Sequence, residues 1–265
     1  MPLIHHVIAG HAHPPIVFVH GFACGHTDWD AQVAHLSPRH QTVAIDLRGH
    51  GASHGSASDC AIERYGADVA EVMRALNLPP AIIVGHSLGC RVAIEAALQA
   101  PDHTKALVLV DGSQFASAMG PVLRAAFAQP NGFATMAQGL FKDMFTAKSA
   151  PATTQAVVDR ALRLPREIGE KMLTDLQRYD AHRLTASLQS LQSLRVPVMA
   201  IQTTFSNEKR ERSSMKKGQS SPYLDMLRTA VPAVRVEIVE DTGHFPQLDE
   251  PAQTNALLDS FLASL

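Results

Sequence analysis

The feature that most constrains the fold is an alternation of short apolar runs with helical patterns in the first 110 residues. The runs lie at positions 15–21, 41–46, 81–85 and 106–110. Each contains β-branched residues, lacks polar alternation and stops at a turn signal, which is typical of strands buried on both faces of a parallel sheet. The alternation therefore predicts βαβ crossovers and an α/β fold, with a mainly parallel central sheet flanked by helices.

The alternation stops after Val110 and returns near residue 196. Between them the sequence has helical patterns punctuated by prolines, and two further strands are expected at 196–201 and 234–239. We therefore predict a helical cap, residues 113–191, inserted before the last two strands of a core domain formed by residues 1–112 and 192–265. Five of the ten phenylalanines lie in the cap. They are expected to pack its own small core, and the alternative is that some line an apolar pocket.

Charge and cysteine content exclude several classes of protein. The 23 Lys and Arg nearly balance the 25 Asp and Glu, and no basic stripe follows a helix, so no nucleic-acid partner is expected. The three cysteines have no CxxC spacing, which favours neither a disulfide framework nor a zinc site. No apolar run is long enough for a membrane span and no signal peptide is recognisable, so we expect a cytoplasmic protein. Its oligomeric state is left open.

The strongest chemical signal is the sequence Gly85-His86-Ser87-Leu88-Gly89, directly after an apolar strand and before a small-residue helix. A G-x-S-x-G in this context predicts a sharp strand-to-helix turn that exposes the serine side chain at the sheet edge. Backbone crowding at such a turn favours glycine on both sides of the serine. Ser87 is therefore the candidate nucleophile.

Two further motifs follow predicted strands. His20-Gly21-Phe22 closes the first strong strand, and its Phe22 amide could act with the Leu88 amide as an oxyanion hole. His244, in Thr-Gly-His-Phe-Pro, follows the last strand, where a catalytic base would reach the same sheet edge. Alone, the first motif would be a simple glycine turn and the second a structural histidine.

Together these motifs resemble the α/β-hydrolase fold superfamily. The residues that carry the resemblance span nearly the whole chain and have the family's order: His20-Gly21-Phe22, Asp28-Trp29, residues 46–53 (Asp-Leu-Arg-Gly-His-Gly-Ala-Ser), residues 85–89 and Gly243-His244-Phe245. The resemblance implies a helical cap and a Ser–acid–His triad. It also implies that Asp46 and Arg48 belong to a scaffold loop rather than to the chemistry.

The chain departs from the family at the triad acid. The stretch after the expected strand 196–201 contains no G-x-x-D turn. Asp111 ends the strand before the cap, and some family members resemble this chain in using an acid there. We favour Asp111 as the triad acid. Glu208 is the alternative, and a site without an acid is the third possibility. We interpret the basic residues around Glu208, among them Arg212, as part of a solvated loop. The alternative is a flexible basic rim that attracts an anionic substrate.

These residues predict nucleophilic acyl transfer by Ser87, His244 and Asp111, without metal or organic cofactor. The expected substrate is a small to medium, partly apolar ester, lactone or related acyl compound. Two alternatives use the same fold: a carbon–carbon bond hydrolase, and a cofactor-free ring-cleaving dioxygenase, which differs in carrying His at the position of Leu88. A third is a ligand sensor without catalysis, against which the intact Ser87 and His244 count.

Overall fold

A seven-stranded sheet organises the part of the chain that the computed structural model describes, residues 3–115, 119–206 and 212–265. Its strand order is β1-β3-β2-β4-β5-β6-β9, and every neighbouring pair is parallel except β1 with β3. This confirms the predicted fold class. The strands are β1 (His6–Ala9), β2 (Ile16–Val19), β3 (Thr42–Ile45), β4 (Ala81–His86), β5 (Thr104–Val110), β6 (Val198–Gln202) and β9 (Arg235–Ile238).

The central strands are apolar throughout because both faces of the sheet are covered. In β2, Val17 and Val19 belong to one hydrophobic cluster, whereas Ile16 and Phe18 belong to a second cluster on the other face. All six residues of β4 are buried. The edge strand β1 is only partly buried and its pattern is short, which is why the sequence did not reveal it.

Helices cover both faces of the sheet and fill the connection between β5 and β6. No helix among the described residues is long and apolar enough to cross a membrane. The helices are α1 (Asp30–Leu36), α2 (Ile62–Ala75), α3 (Leu88–Gln99), α4 (Met119–Phe127), α5 (Gly132–Lys142), α6 (Pro151–Arg163), α7 (Arg166–His182), α8 (Leu184–Leu194), α9 (Pro222–Ala230), α10 (Pro246–Asp249) and α11 (Pro251–Leu262).

The helices α4 to α8, here called the helical insertion, follow one another without an intervening strand. The last of them ends three residues beyond position 191. The division into a core domain and a cap with the boundaries given above stays a prediction. After β6 the chain forms a small antiparallel pair, β7 (Thr204–Ser206) and β8 (Arg212–Ser214), within a stretch that the sequence showed only as polar.

The parallel strand direction determines where the candidate residues meet. His20 follows β2, Ser87 follows β4, Asp111 follows β5 and His244 lies in the loop after β9. Because parallel strands present their carboxyl ends at one edge, loops that are distant in sequence converge there. The helical insertion also leaves the sheet from this edge.

Candidate active site

Ser87 occupies a strained turn between β4 and α3. Its φ of 55° and ψ of −114° lie outside the common regions for residues with a side chain, and its amide donates to the Val110 carbonyl over 2.9 Å. A Cβ atom at Gly89 would lie 2.5 Å from the Val19 oxygen and 2.6 Å from the His20 oxygen. Only glycine therefore allows α3 to begin this close to β2. Ser87 itself is half-buried and lies at the sheet edge.

Three side chains form one hydrogen-bonded chain at this edge. The Nε2 of His244 lies 2.8 Å from the Oγ of Ser87, and its Nδ1 lies 2.6 Å from the Oδ2 of Asp111. Both His244 and Asp111 are 1% exposed. The structure thus brings together the three residues that the sequence singled out as nucleophile, base and acid.

The Asp111 carboxylate lies in a cradle of donors from the segment after β6. Its Oδ1 accepts hydrogen bonds from the Gln202 side chain at 2.9 Å and from the amides of Thr203 and Thr204 at 2.8 Å each. Its Oδ2 accepts from the Thr204 hydroxyl at 2.6 Å. Burial alone would raise the pKa of Asp111, but His244, the nearby Arg212 and Thr204 outweigh it and hold the pKa below its ordinary value.

In the family pattern, the segment after β6 carries the triad acid. In this chain the same segment instead supplies hydrogen-bond donors to Asp111. This explains physically why an acid at the end of β5 can remain charged while buried. The alternative acid, Glu208, lies outside the described residues.

His244 is held as a neutral base. Burial lowers its pKa, and the Arg212 guanidinium lowers it further, whereas Asp111 acts in the opposite direction. The neighbouring His86 donates from Nε2 to the His244 carbonyl oxygen over 2.7 Å, and burial lowers the pKa of His86 to about 3. The backbone amide of His244 donates to the Met144 carbonyl of the helical insertion at 2.7 Å. The base is thus held both by β4 and by the helical insertion.

The two amides predicted to form an oxyanion hole belong to residues next to Ser87 in sequence or in space. Leu88 directly follows Ser87 at the start of α3, and Phe22 follows Gly21, whose Cβ position would be 3.2 Å from the Ser87 Cβ. Within the described ranges neither amide donates a hydrogen bond to another protein group. Both are therefore available to an oxygen bound beside Ser87, and their role as an oxyanion hole stays a prediction.

Aromatic rings of the helical insertion cover the loop after β2 that carries Phe22, here called the oxyanion loop after the predicted role of the Phe22 amide. Phe141 stacks on Phe22 and Phe245, with ring centroids 6.0 and 6.4 Å apart, and Phe133 meets Phe22 edge-on at 6.5 Å. Phe145 stacks on Phe245 at 5.0 Å. These rings contact Phe22 and Phe245, which follow strands of the sheet next to the catalytic candidates, so the expectation that the rings pack only among themselves was too narrow.

A cavity of about 470 Å³ begins beside this loop, at Ala23 and Cys24. The helical insertion closes it with Arg160 and Leu164, among others, whereas Ser87 and His244 do not line it. Arg160 also forms an ion pair with the buried Asp28, with an N–O distance of 2.6 Å. This pair connects α6 to the loop that continues from Phe22.

One group of side chains could accept a cation. The Nδ1 atoms of His5 and His26 and the carboxylate of Asp46 lie within 4.8 Å of one another. Both histidines contact the carboxylate at 2.9 Å, and the Ala52 amide also donates to it at 3.1 Å. These are hydrogen-bond distances that hold a scaffold loop, and the group includes none of the candidate catalytic residues.

Sequence reasoning missed Arg212 as part of the site. Its side chain is 17% exposed and contacts Thr204 and His244, so the interpretation of this position as part of a solvated loop was wrong. Lys209 and Arg210 of the same basic run lie outside the described residues. The pattern held no signal for Arg212, because burial of one cation in a charged run depends on β7 and β8 turning back over Asp111.

Residues 16–257 match the model of the alpha/beta hydrolase family. The chain belongs to this family of hydrolases.

The individual proteins similar to this chain have limited sequence identity with it. An uncharacterized protein of Mycobacterium tuberculosis is 27% identical over 276 aligned positions, covering 94% of this chain and 75% of its own length. A 2-(acetamidomethylene)succinate hydrolase of Mesorhizobium japonicum is 36% identical over 98 residues, which is 37% of this chain and 35% of that protein. Among solved structures, Est816, described as an N-acyl homoserine lactone degrading enzyme, has a TM-score of 0.80 at 24% identity and covers 97% of this chain and 96% of its own.

Proposed function

We propose that the protein is a serine hydrolase that cleaves a small to medium, partly apolar carboxylic ester or related acyl compound through an acyl-enzyme. The observation that carries this proposal is the continuous hydrogen-bonded chain from Ser87 through His244 to Asp111, beside two amides that find no protein acceptor among the described residues. A serine hydroxyl hydrogen-bonded to a buried base, which is in turn hydrogen-bonded to a buried acid, is the arrangement that activates a serine nucleophile.

The chemistry follows from the distances. The Ser87 oxygen attacks the substrate carbonyl carbon while the Nε2 of His244, 2.8 Å away, takes the hydroxyl proton. Asp111 accepts a hydrogen bond from the Nδ1–H of His244 and stabilises the imidazolium that forms. The amides of Phe22 and Leu88 donate to the developing oxyanion.

His244 then returns the proton to the leaving group, and the acyl-enzyme forms. Water activated by the same histidine attacks the acyl carbon, and Ser87 recovers its proton when the acid product leaves. The residues of the chain supply every acid and base that these steps use, so the mechanism needs no cofactor.

The aromatic cover supports a partly apolar acyl or alcohol group. Phe22, Phe141 and Phe245 lie next to the oxyanion loop and the base, and they favour aliphatic or aromatic surface over charge. A small molecule is the substrate that a site roofed by helices accepts most readily. Of the proteins similar to this chain, Est816 is described as degrading an N-acyl homoserine lactone, which is an acyl compound of this general kind.

The test is hydrolysis of p-nitrophenyl esters from acetate to decanoate by the wild type, Ser87→Ala and Ser190→Ala. Ser190 is an exposed serine on α8 and serves as the matched control. We expect Ser87→Ala to lose about 10⁴-fold or more in kcat while Ser190→Ala retains wild-type activity. Equal turnover by Ser87→Ala would contradict the proposal. A wild type inactive on the whole series would favour a selective carbon–carbon bond hydrolase, a dioxygenase or a ligand sensor.

A further inference from the structure

Arg212 approaches the triad from the side opposite Ser87. It begins β8, opposite Ser206 of β7, and this pairing turns its side chain inward. Its Nη1 lies 2.6 Å from the Thr204 hydroxyl, 3.2 Å from the Nδ1 of His244 and 3.7 Å from the Oδ2 of Asp111. A guanidinium is therefore in contact with both the base and the acid of the proposed triad.

The hydrogen bonds around Thr204 determine which group donates and which accepts in each contact. The Thr204 hydroxyl donates to Asp111, so its oxygen accepts from Arg212. In the triad the Nδ1 of His244 donates to Asp111 as well, and that nitrogen then has no lone pair for Arg212. The 3.2 Å contact between Arg212 and His244 thus joins two donors, and the cation faces the imidazole without receiving a hydrogen bond from it.

The charged groups around His244 divide into two sets. Asp111 favours the imidazolium, whereas Arg212 and the more distant Arg91 oppose it. The Arg91 charge is already paired with Asp180, over 2.5 and 2.8 Å. His86 packs against His244 with ring centroids 4.8 Å apart and is uncharged near neutral pH. Among the residues that the structure describes, Arg212 is therefore the nearest charge that opposes proton uptake at His244.

Within the described part of the chain, two carboxylates compensate the charge of Arg212. Asp111 favours the charged guanidinium, and so does Asp143 of the helical insertion, while burial disfavours it. The Asp111 carboxylate is also hydrogen-bonded by five other groups, so it is not dedicated to Arg212. The cation remains effective at His244 because the site is buried and poorly screened.

We infer that Arg212 is a positioning residue of the triad, which opposes protonation of His244 and thereby sets the acid limit of activity. The inference rests on the proposed function, since it assigns Arg212 to the same base. An imidazole that stays neutral at lower pH can still accept the Ser87 proton under mildly acidic conditions. The imidazolium that forms is also a stronger acid toward the leaving group, because the neighbouring cation favours its deprotonation.

The test compares pH profiles of kcat/KM for the wild type, Arg212→Gln and Arg212→Lys. Glutamine keeps a donor for the Thr204 hydroxyl but removes the charge, and lysine keeps the charge. We expect the acid limb to move up by about one pH unit in Arg212→Gln, which gives about a tenfold loss of kcat/KM at pH values below both limbs. Above both limbs the loss should stay within about threefold, and Arg212→Lys should keep most of the wild-type profile. Arg228→Gln, an exposed arginine, is the control.

A purely structural role gives a different result. If Arg212→Gln lowered kcat/KM equally at every pH and left the acid limb in place, the inference would be overturned. Titration of His244 by imidazole NMR in the wild type and Arg212→Gln, with the signal assigned through His244→Gln, needs no substrate. A higher pKa of His244 in Arg212→Gln would support the inference even if the proposed hydrolysis were absent, and an unchanged pKa would refute it.

Discussion

The Oδ2 of Asp111 lies 2.6 Å from the Nδ1 of His244, although the two residues are 133 positions apart in the chain. The pair forms across β6, since Asp111 follows β5 and His244 follows β9. The segment that leaves β6 passes beneath the carboxylate and donates to it through Thr203 and Thr204. An acid at the end of β5 is thus held in place by the segment that the family pattern would use for the acid itself.

Replacing Asp111 tests the assignment of the acid. In Asp111→Asn, an amide group cannot both accept from Thr203 and Thr204 and keep the His244 tautomer, so we expect kcat to fall by about 10³- to 10⁴-fold. Glu208→Gln is the matched comparison and should stay within about threefold of the wild type. Steady-state kinetics with an ester substrate measure both. The reverse pattern would reassign the acid to Glu208.

The stacking of Phe141 on Phe22 predicts that a substitution in the helical insertion changes substrate preference at the oxyanion loop. Phe141→Ala removes a ring that is 1% exposed, so we expect a loss of about 3 kcal/mol in unfolding free energy. Because the cavity left behind lies next to Phe22, the preferred ester chain length should also increase. Phe127→Ala is the control, since the Phe127 ring contacts Phe133 of the same insertion. Similar chain-length profiles for both variants would argue against this link.

The ion pair of Arg160 with Asp28 predicts a pronounced asymmetry between single and double substitutions. Asp28 is almost fully buried, and its loss of solvent raises the pKa of its carboxyl. In Arg160→Gln this charge stays buried without its cation, so we expect a loss of about 3 kcal/mol in urea unfolding at neutral pH. The double variant Asp28→Asn/Arg160→Gln should lose less than the sum of the two single variants. Strict additivity would show that the two residues do not stabilise each other.

The buried His50 predicts a loss of stability in mild acid. Burial lowers the pKa of His50 to about 4, whereas an unfolded histidine has a pKa of about 6.5. The unfolded state therefore binds more protons between these values, so His50 disfavours folding increasingly as the pH falls from about 6.5 to about 4. At pH 5 this amounts to about 2 kcal/mol.

The matched variant for this prediction is His50→Gln, which offers an oxygen to the Ala23 amide that now donates to the Nε2 of His50 over 3.2 Å. Unfolding free energies at pH 7.5 and pH 5 should differ less in His50→Gln than in the wild type. A pH dependence that is the same in both proteins would show that His50 does not contribute to it.

The sequence identified Ser87, Asp111 and His244 because each stands at a strand end, where β-branched runs meet glycine or an acid. The order of the parallel strands then brings such ends together, so local patterns were sufficient. Arg212 and the donors Gln202 and Thr204 could not be found in this way. Their roles depend on the path of the chain after β6, and a polar stretch without periodicity carries no signal for that path.

The central claim is that Ser87 is a nucleophile activated by His244. Its most direct test is intact-protein mass spectrometry after incubation with p-nitrophenyl butyrate and rapid acid quenching, for the wild type and His244→Gln, followed by peptide mapping. We predict a butyryl adduct on Ser87 in the wild type and none in His244→Gln. An adduct on another residue, or equal acylation of Ser87 without His244, would contradict the account.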